Sequence, residues 1–93
     1  MILAIDTGNT NILLGCIADR KIRAVARMAT DVNKTDYEYA VGMKNVLAFA
    51  GFQPESFEGA ILSNVVWPLT STLCRAVKLL TGLDTLVVGK GLK

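Results

Sequence analysis

Asp6-Thr7-Gly8-Asn9-Thr10-Asn11 sets a carboxylate, two hydroxyls, two side-chain amides and a glycine in consecutive positions, directly after the apolar run Met1 to Ile5. Such a segment can bind an anion without a lysine. Backbone N–H groups that converge in a hairpin turn make a concave donor surface for phosphate oxygens, and the missing Cβ of Gly8 lets that backbone come close to a ligand and permits a positive φ. Asp6 would not touch phosphate, which repels it. Its chemistry is to orient Mg²⁺ or the water shell of that ion. A carboxylate at the end of a strand buried on both faces is costly unless it has such a role or a hydrogen-bonded partner. The same residue types are also ordinary β-turn formers, so the placement of the segment decides how it is read.

The hydrophobic period defines the elements that hold it. After the first strand and the turn at Asp6 to Thr10, Asn11 to Ala18 alternates as a second strand, with Ile12, Leu14, Cys16 and Ala18 on one face. Asp19-Arg20 is a two-residue turn. Lys21 to Ala29 follows as a third strand, Ile22, Ala24, Ala26 and Met28 facing away from Arg23, Val25 and Arg27. Arg23 and Arg27 suit a sheet edge, where charge discourages pairing with another chain. Thr30-Asp31-Val32-Asn33-Lys34 is the one polar stretch that reads as mobile.

Thr35-Asp36-Tyr37-Glu38 matches a capping box and opens a helix over 36–50, with Tyr39, Ala40, Met43, Val46, Leu47 and Ala50 on one stripe and Gly51 as its stop. Gly59 to Val66 is a fourth strand. Pro68 begins a second helix over 68–81, stopped at Gly82, with Leu69, Leu73, Ala76, Val77 and Leu80 toward the core. Thr85 to Val88 is a fifth strand, and Gly89-Lys90-Gly91 leaves it in a loop. The order β-β-β-α-β-α-β predicts an α/β fold: an antiparallel meander joined to parallel strands by right-handed crossovers. The expected mixed five-stranded sheet has order 3-2-1-4-5, with central strands buried on both faces. In such a sheet ligands gather at the strand ends, where Asp6 to Asn11 lies.

Composition narrows the chemistry. At 93 residues, 52% hydrophobic and 19% charged, the chain is one globular domain. It contains no histidine, which excludes a histidine-based triad, an imidazole base and the usual zinc sites. A net charge of +2, with Arg20, Lys21, Arg23 and Arg27 divided over the faces of a strand and no aromatic platform beside them, argues against nucleic acid. Cys16 and Cys74 lie apart among apolar residues and read as buried free thiols of a reducing compartment. The N-terminus lacks a basic leader, and the longest apolar-rich run, Ile12 to Ala18, falls short of the ~20 residues of a membrane helix. A cytoplasmic location and no membrane partner are expected. Trp67, ahead of Pro68, reads as a ring packed at a helix entry rather than one lining a cleft, and Tyr39 as core.

The chain also resembles a known family, the type III pantothenate kinases of the acetate/sugar kinase, heat-shock 70 and actin superfamily. Ile5-Asp6-Thr7-Gly8-Asn9-Thr10-Asn11 is similar to that family's D-x-G-N-T-N phosphate signature, and Thr35-Asp36-Tyr37-Glu38-Tyr39 to its T-x-D-E-Y stretch. Ser63-Asn64-Val65-Val66-Trp67-Pro68-Leu69-Thr70 resembles S-S-V-V-P-x-L-T, with Asn64 for Ser and Trp67 for Pro, and Val87-Val88-Gly89 to Lys93 resembles the run leading out of the first domain. The resemblance implies a ribonuclease H-like domain over residues 1–93, the N-terminal half of a two-domain kinase. It implies phosphorylation of pantothenate by ATP, the first step of coenzyme A biosynthesis, in a homodimer using Mg²⁺ and a monovalent cation, K⁺ or NH₄⁺. By the same resemblance Asp6, Thr7, Gly8, Asn9, Thr10, Asn11, Ile12 and Leu13 bind ATP, and Asp6 serves the metal. The family's catalytic Asp belongs to a G-A-D-R motif that follows the matched stretch, so no residue here is assigned as catalytic and the 93-residue chain alone is expected to be inactive.

Two other readings stay open on the residues. One is a non-catalytic nucleotide-binding or interaction module of the same fold. The other is a metal-dependent nuclease, which would need further carboxylates near Asp6. The candidates are Asp19, Asp31, Asp36, Glu38, Glu55, Glu58 and Asp84, and most fall on turns or helix starts.

Overall fold

The computed structural model describes residues 1–89. The loop expected at Gly89-Lys90-Gly91 and the resemblance carried by the run to Lys93 therefore lie, from Lys90 onward, outside the described residues. Five strands, β1 (Ile2–Thr7), β2 (Asn11–Ala18), β3 (Lys21–Ala29), β4 (Gly59–Asn64) and β5 (Thr85–Val88), form one sheet of order β3-β2-β1-β4-β5. The pairs β1–β2 and β2–β3 are antiparallel, whereas β1–β4 and β4–β5 are parallel. The expected order is therefore the observed one.

Helix α1 (Asp36–Phe49) starts on the predicted capping box. The Glu38 N–H donates to Thr35 Oγ1 at 3.2 Å, and the Thr35 N–H donates to Glu38 Oε1 at 2.9 Å. Helix α2 (Thr70–Thr81) is entered through a 3₁₀ turn over Trp67–Leu69, with Pro68 in the turn itself rather than in the helix. Gly51 (φ +96°) and Gly82 (φ +78°) end the two helices in the left-handed conformation that glycine adopts without steric cost.

One expectation fails. The central strands are buried on one face only. Along β1 the side chains of Leu3, Ile5 and Thr7 are buried, while Ile2 and Ala4 are partly open and Asp6 is exposed. Along β4 Ala60, Leu62 and Asn64 are buried, and Ile61 and Ser63 are exposed. The cause lies in the topology. Both crossovers, β3-α1-β4 and β4-α2-β5, move the same way along the sheet, and two right-handed crossovers in one direction put both helices on one side. Helices α1 and α2 pack against each other there and cover a core of Leu3, Ile5, Ile12, Leu14, Cys16, Tyr39, Met43, Leu47, Leu62, Leu69, Leu73 and Val77. Among the described residues nothing covers the opposite face.

A second departure is local. A register shift between Cys16 and Ile17 brings Ile22 opposite Ile17, so Ile22 leaves the face shared by Ala24, Ala26 and Met28 and stands exposed. A β-bulge inserts one residue and reverses the alternation beyond it. The sharp turn before β3 places Asp19 and Arg20 at φ 53° and 64°, the left-handed pair that a two-residue hairpin of this twist requires.

Candidate phosphate-binding cleft

Strand β1 runs two residues further than the apolar run suggests, so Asp6 and Thr7 are both strand residues, paired with Leu13 and Ile12 on β2. Gly8, Asn9 and Thr10 form the connection, closed by the Gly8 N–H donating to the Asn11 carbonyl at 2.9 Å. Because side chains alternate along a strand, Asp6 and Thr7 go to opposite faces. Asp6 lies exposed on the uncovered face, and among the described residues it makes no ion pair or side-chain hydrogen bond. It is not in the dry site the sequence suggested. Gly8 is not among the glycines of positive φ. A Cβ there would stand 3.4 Å from the Asn11 carbonyl oxygen, an ordinary contact, so the fold by itself does not require a glycine at this position.

Asp6, Gly8, Asn9, Thr10, Asn11, Leu13 and Arg27 line an open cleft of about 420 Å³. Six of the eight sequence-predicted residues are thus brought together. Thr7 and Ile12 are not: both are 0% exposed and face the helices. The Thr7 hydroxyl is buried without a hydrogen-bond partner. A depression of similar size lies between the helices, lined by residues such as Tyr37, Val41, Pro54 and Leu79, but none of the hairpin donors reaches it.

What sequence reasoning missed is how the hairpin is held. Thr30 donates from its backbone N–H to the Thr10 carbonyl at 2.9 Å and from its hydroxyl to the Gly8 carbonyl at 2.8 Å. The Asp31 N–H donates to the Tyr39 hydroxyl at 2.8 Å, and that hydroxyl donates to the Asp31 carbonyl at 2.6 Å. The stretch 30–34, expected to be mobile, is a strap from α1 to the hairpin. It was illegible because Thr30 bonds backbone atoms of residues far back in the chain and Asp31 bonds a tyrosine hydroxyl on the next helix. Tyr39 is core, as expected, and burial raises its pKa, keeping the phenol protonated as a donor.

Asn64 organises the neighbouring turn. Its Nδ2 donates to the Val66 carbonyl and to Thr70 Oγ1, both at 2.7 Å, and its Oδ1 accepts from the Val66 N–H at 2.9 Å. Trp67 departs from expectation: it is 74% exposed, because Leu69 instead fills the space at the helix entry. Cys16 is buried and Cys74 partly so, both as free thiols with pKa values raised by burial. Among the described residues no three Cys, Asp or Glu side chains cluster to hold a metal, so Asp6 would contribute one carboxylate and leave the remaining positions to water and ligand oxygens. Small, strongly hydrated Mg²⁺ accepts such a site. No helix of the described residues is long and apolar enough to cross a membrane.

A family model described as type III pantothenate kinase matches residues 2–93. Over all 93 residues the chain is 37% identical to the type III pantothenate kinase of Moorella thermoacetica and 36% identical to that of Finegoldia magna, covering 37% and 36% of their lengths. The chain thus spans little more than a third of these curated relatives. Among solved structures, the ROK hexokinase of Thermus thermophilus superposes with a TM-score of 0.68 at 14% identity, over 95% of this chain and 34% of that one. An exopolyphosphatase from Cytophaga hutchinsonii gives 0.50 at 14%, with the same coverage. At such identity the likeness concerns the fold, the ribonuclease H-like arrangement of kinases and phosphatases.

Proposed function

Since the chain belongs to the type III pantothenate kinase family, we propose that it is the first of two domains of a kinase that phosphorylates pantothenate with ATP, and that it supplies the phosphate-binding hairpin. The observation that carries this reading is the cleft at the end of β1, where Asp6 and the turn residues Gly8 to Asn11 line one wall. In this reading the turn amides beyond Gly8, whose own N–H closes the hairpin on the Asn11 carbonyl, hold phosphate oxygens, as convergent N–H groups do. Asn9, Thr10 and Asn11 add side-chain donors, and Leu13 forms an apolar floor. Thr7 and Ile12 support the hairpin from the core side instead of touching nucleotide. Asp6 would hold Mg²⁺, which when bound would supply charge neutralisation and alignment of the phosphates. A monovalent cation, a second phosphate clamp and the base for the pantothenate hydroxyl belong to the other part of the enzyme. So does the homodimer contact, and the enzyme is cytoplasmic.

The test is Asp6→Asn in a full-length enzyme carrying this chain. Asn keeps the shape and most hydrogen bonds but gives up the charge that orients the cation. The expected result is an unchanged melting temperature and loss of ATP-dependent pantothenate phosphorylation. Turnover at the parent level would reject the cation role and leave Asp6 a turn residue. A non-catalytic module would bind MgATP and show no turnover even at full length.

A further inference from the structure

The uncovered face of the sheet is organised in rows. Register places Val25, Gly15, Ala4, Ile61 and Leu86 side by side across the five strands, an apolar row. The next row toward the hairpin reads Arg27, Leu13, Asp6, Ser63 and Val88. Asp6 and Arg27 therefore stand on the same side of the sheet, separated by the Leu13 strand, at two strand spacings or about 10 Å between backbones. They form no ion pair with each other, and Arg27 forms none with any described residue, whereas Arg23 on the same strand is held by Asp19 at 3.4 Å. Arg27 is exposed, and its side chain lines the same cleft as Gly8 to Asn11.

We infer that Arg27 is a phosphate-binding residue of the nucleotide site, closing the cleft on the side opposite Asp6. The inference rests on the nucleotide reading above. A polyphosphate chain in this cleft meets a carboxylate on one side that repels it. Backbone amides are partial charges, and Arg27 is the cation lining the cleft. Its planar fork takes two phosphate oxygens at once, which a turn amide cannot do. Division of labour follows: the metal on Asp6 and the guanidinium on Arg27 hold the phosphates from two sides, over the Leu13 floor. The ligand class is a linear polyphosphate ester, recognised by its phosphates and not by its base.

The experiment titrates inorganic tripolyphosphate, with and without Mg²⁺, into the 93-residue chain and follows the backbone amide signals of Gly8 to Asn11 and the Nε–H signal of Arg27. Expected are shifts in both sets and, in Arg27→Gln, an apparent affinity at least ~10-fold weaker, about what loss of one charge-assisted contact removes. Arg23→Gln, which takes the same charge from the same strand, should bind as the parent does. If Arg27→Gln disturbs the ligand-free spectrum, Arg27→Met keeps the unbranched stem and replaces it. Hairpin shifts with unchanged affinity in the Arg27 variant overturn the inference and leave the kinase reading standing, as does an equal loss in Arg23→Gln, which would mean general attraction. No hairpin shift in the parent overturns the phosphate hairpin and Arg27 together.

Discussion

At Gly8 the smallest possible side chain separates two roles. A methyl group there lies 3.4 Å from the Asn11 carbonyl oxygen, a contact the fold can accept, and no positive φ has to be maintained. In the nucleotide reading proposed above, the same methyl would crowd the approach of phosphate to the Asn9 amide. Gly8→Ala is therefore expected to cost less than ~1 kcal/mol of stability while weakening MgATP binding by at least ~10-fold. Urea denaturation and calorimetric titration of one sample measure both. A large stability loss, or intact binding, would sink this account of the glycine. Asp6 and Thr7 make the same point about single positions. They are adjacent in the motif, yet one is exposed on the cleft side and the other is sealed in the core with an unpartnered hydroxyl.

For the elements, the decisive feature is that β1 and β4 have one dry face and one open face. Leu62 is 0% exposed under the helices, and its neighbour Ile61 is 37% exposed on the other side. Truncation should discriminate them sharply. Leu62→Ala leaves a cavity in a close-packed interior and should cost ~2–5 kcal/mol. Ile61→Ala removes methylenes that water already reaches, and should cost less than ~1.5 kcal/mol. Chemical denaturation of the two variants gives the comparison, and equal losses would mean that a layer covers the Ile61 face. The hairpin depends on elements in another way. Its loop carbonyls, those of Gly8 and Thr10, are fastened by Thr30, and the strap from Thr30 is fastened to α1 through Tyr39. Through this strap α1 helps to position the turn between β1 and β2.

Taken whole, the molecule buries one side of a sheet and leaves an apolar row on the other. Its radius of gyration of 12.0 Å is close to the ~12 Å of a compact chain of this length, with the core closed beneath the helices. The open row has no such cover among the described residues. Leu86, 62% exposed, adjoins Ile61, and Val25, 53% exposed, stands beyond Ala4 and Gly15 in the same row; exposed apolar surface of this kind drives association. The 93-residue chain should sediment with a concentration-dependent increase, and Ile61→Lys should reduce it. A monomer at all concentrations would show that the row is too broken by Gly15 and Ala4 to be adhesive. The same chain should show kinase turnover far below that of a full-length relative, because one wall of a cleft cannot align γ-phosphate, cation and hydroxyl together.

The elements, their order and the turn between the first two strands were legible because they rest on local signals: alternation in β2, the Thr35–Glu38 capping box, glycines at 51 and 82, and turn formers after Ile5. Sheet order followed from the handedness of crossovers, and the same rule carried the information that both helices share a face. Tertiary structure alone decided the rest. It turned Asp6 outward and Thr7 inward, since strand β1 continues two residues past its apolar run to pair with Leu13 and Ile12. It tied Thr30 to the hairpin through backbone acceptors far away in sequence, and it set Arg27 beside a cleft built from residues of the first hairpin. Local patterns specify dihedral angles and burial periods. Which side chains then share a cleft depends on strand register, a long-range property that no single segment contains.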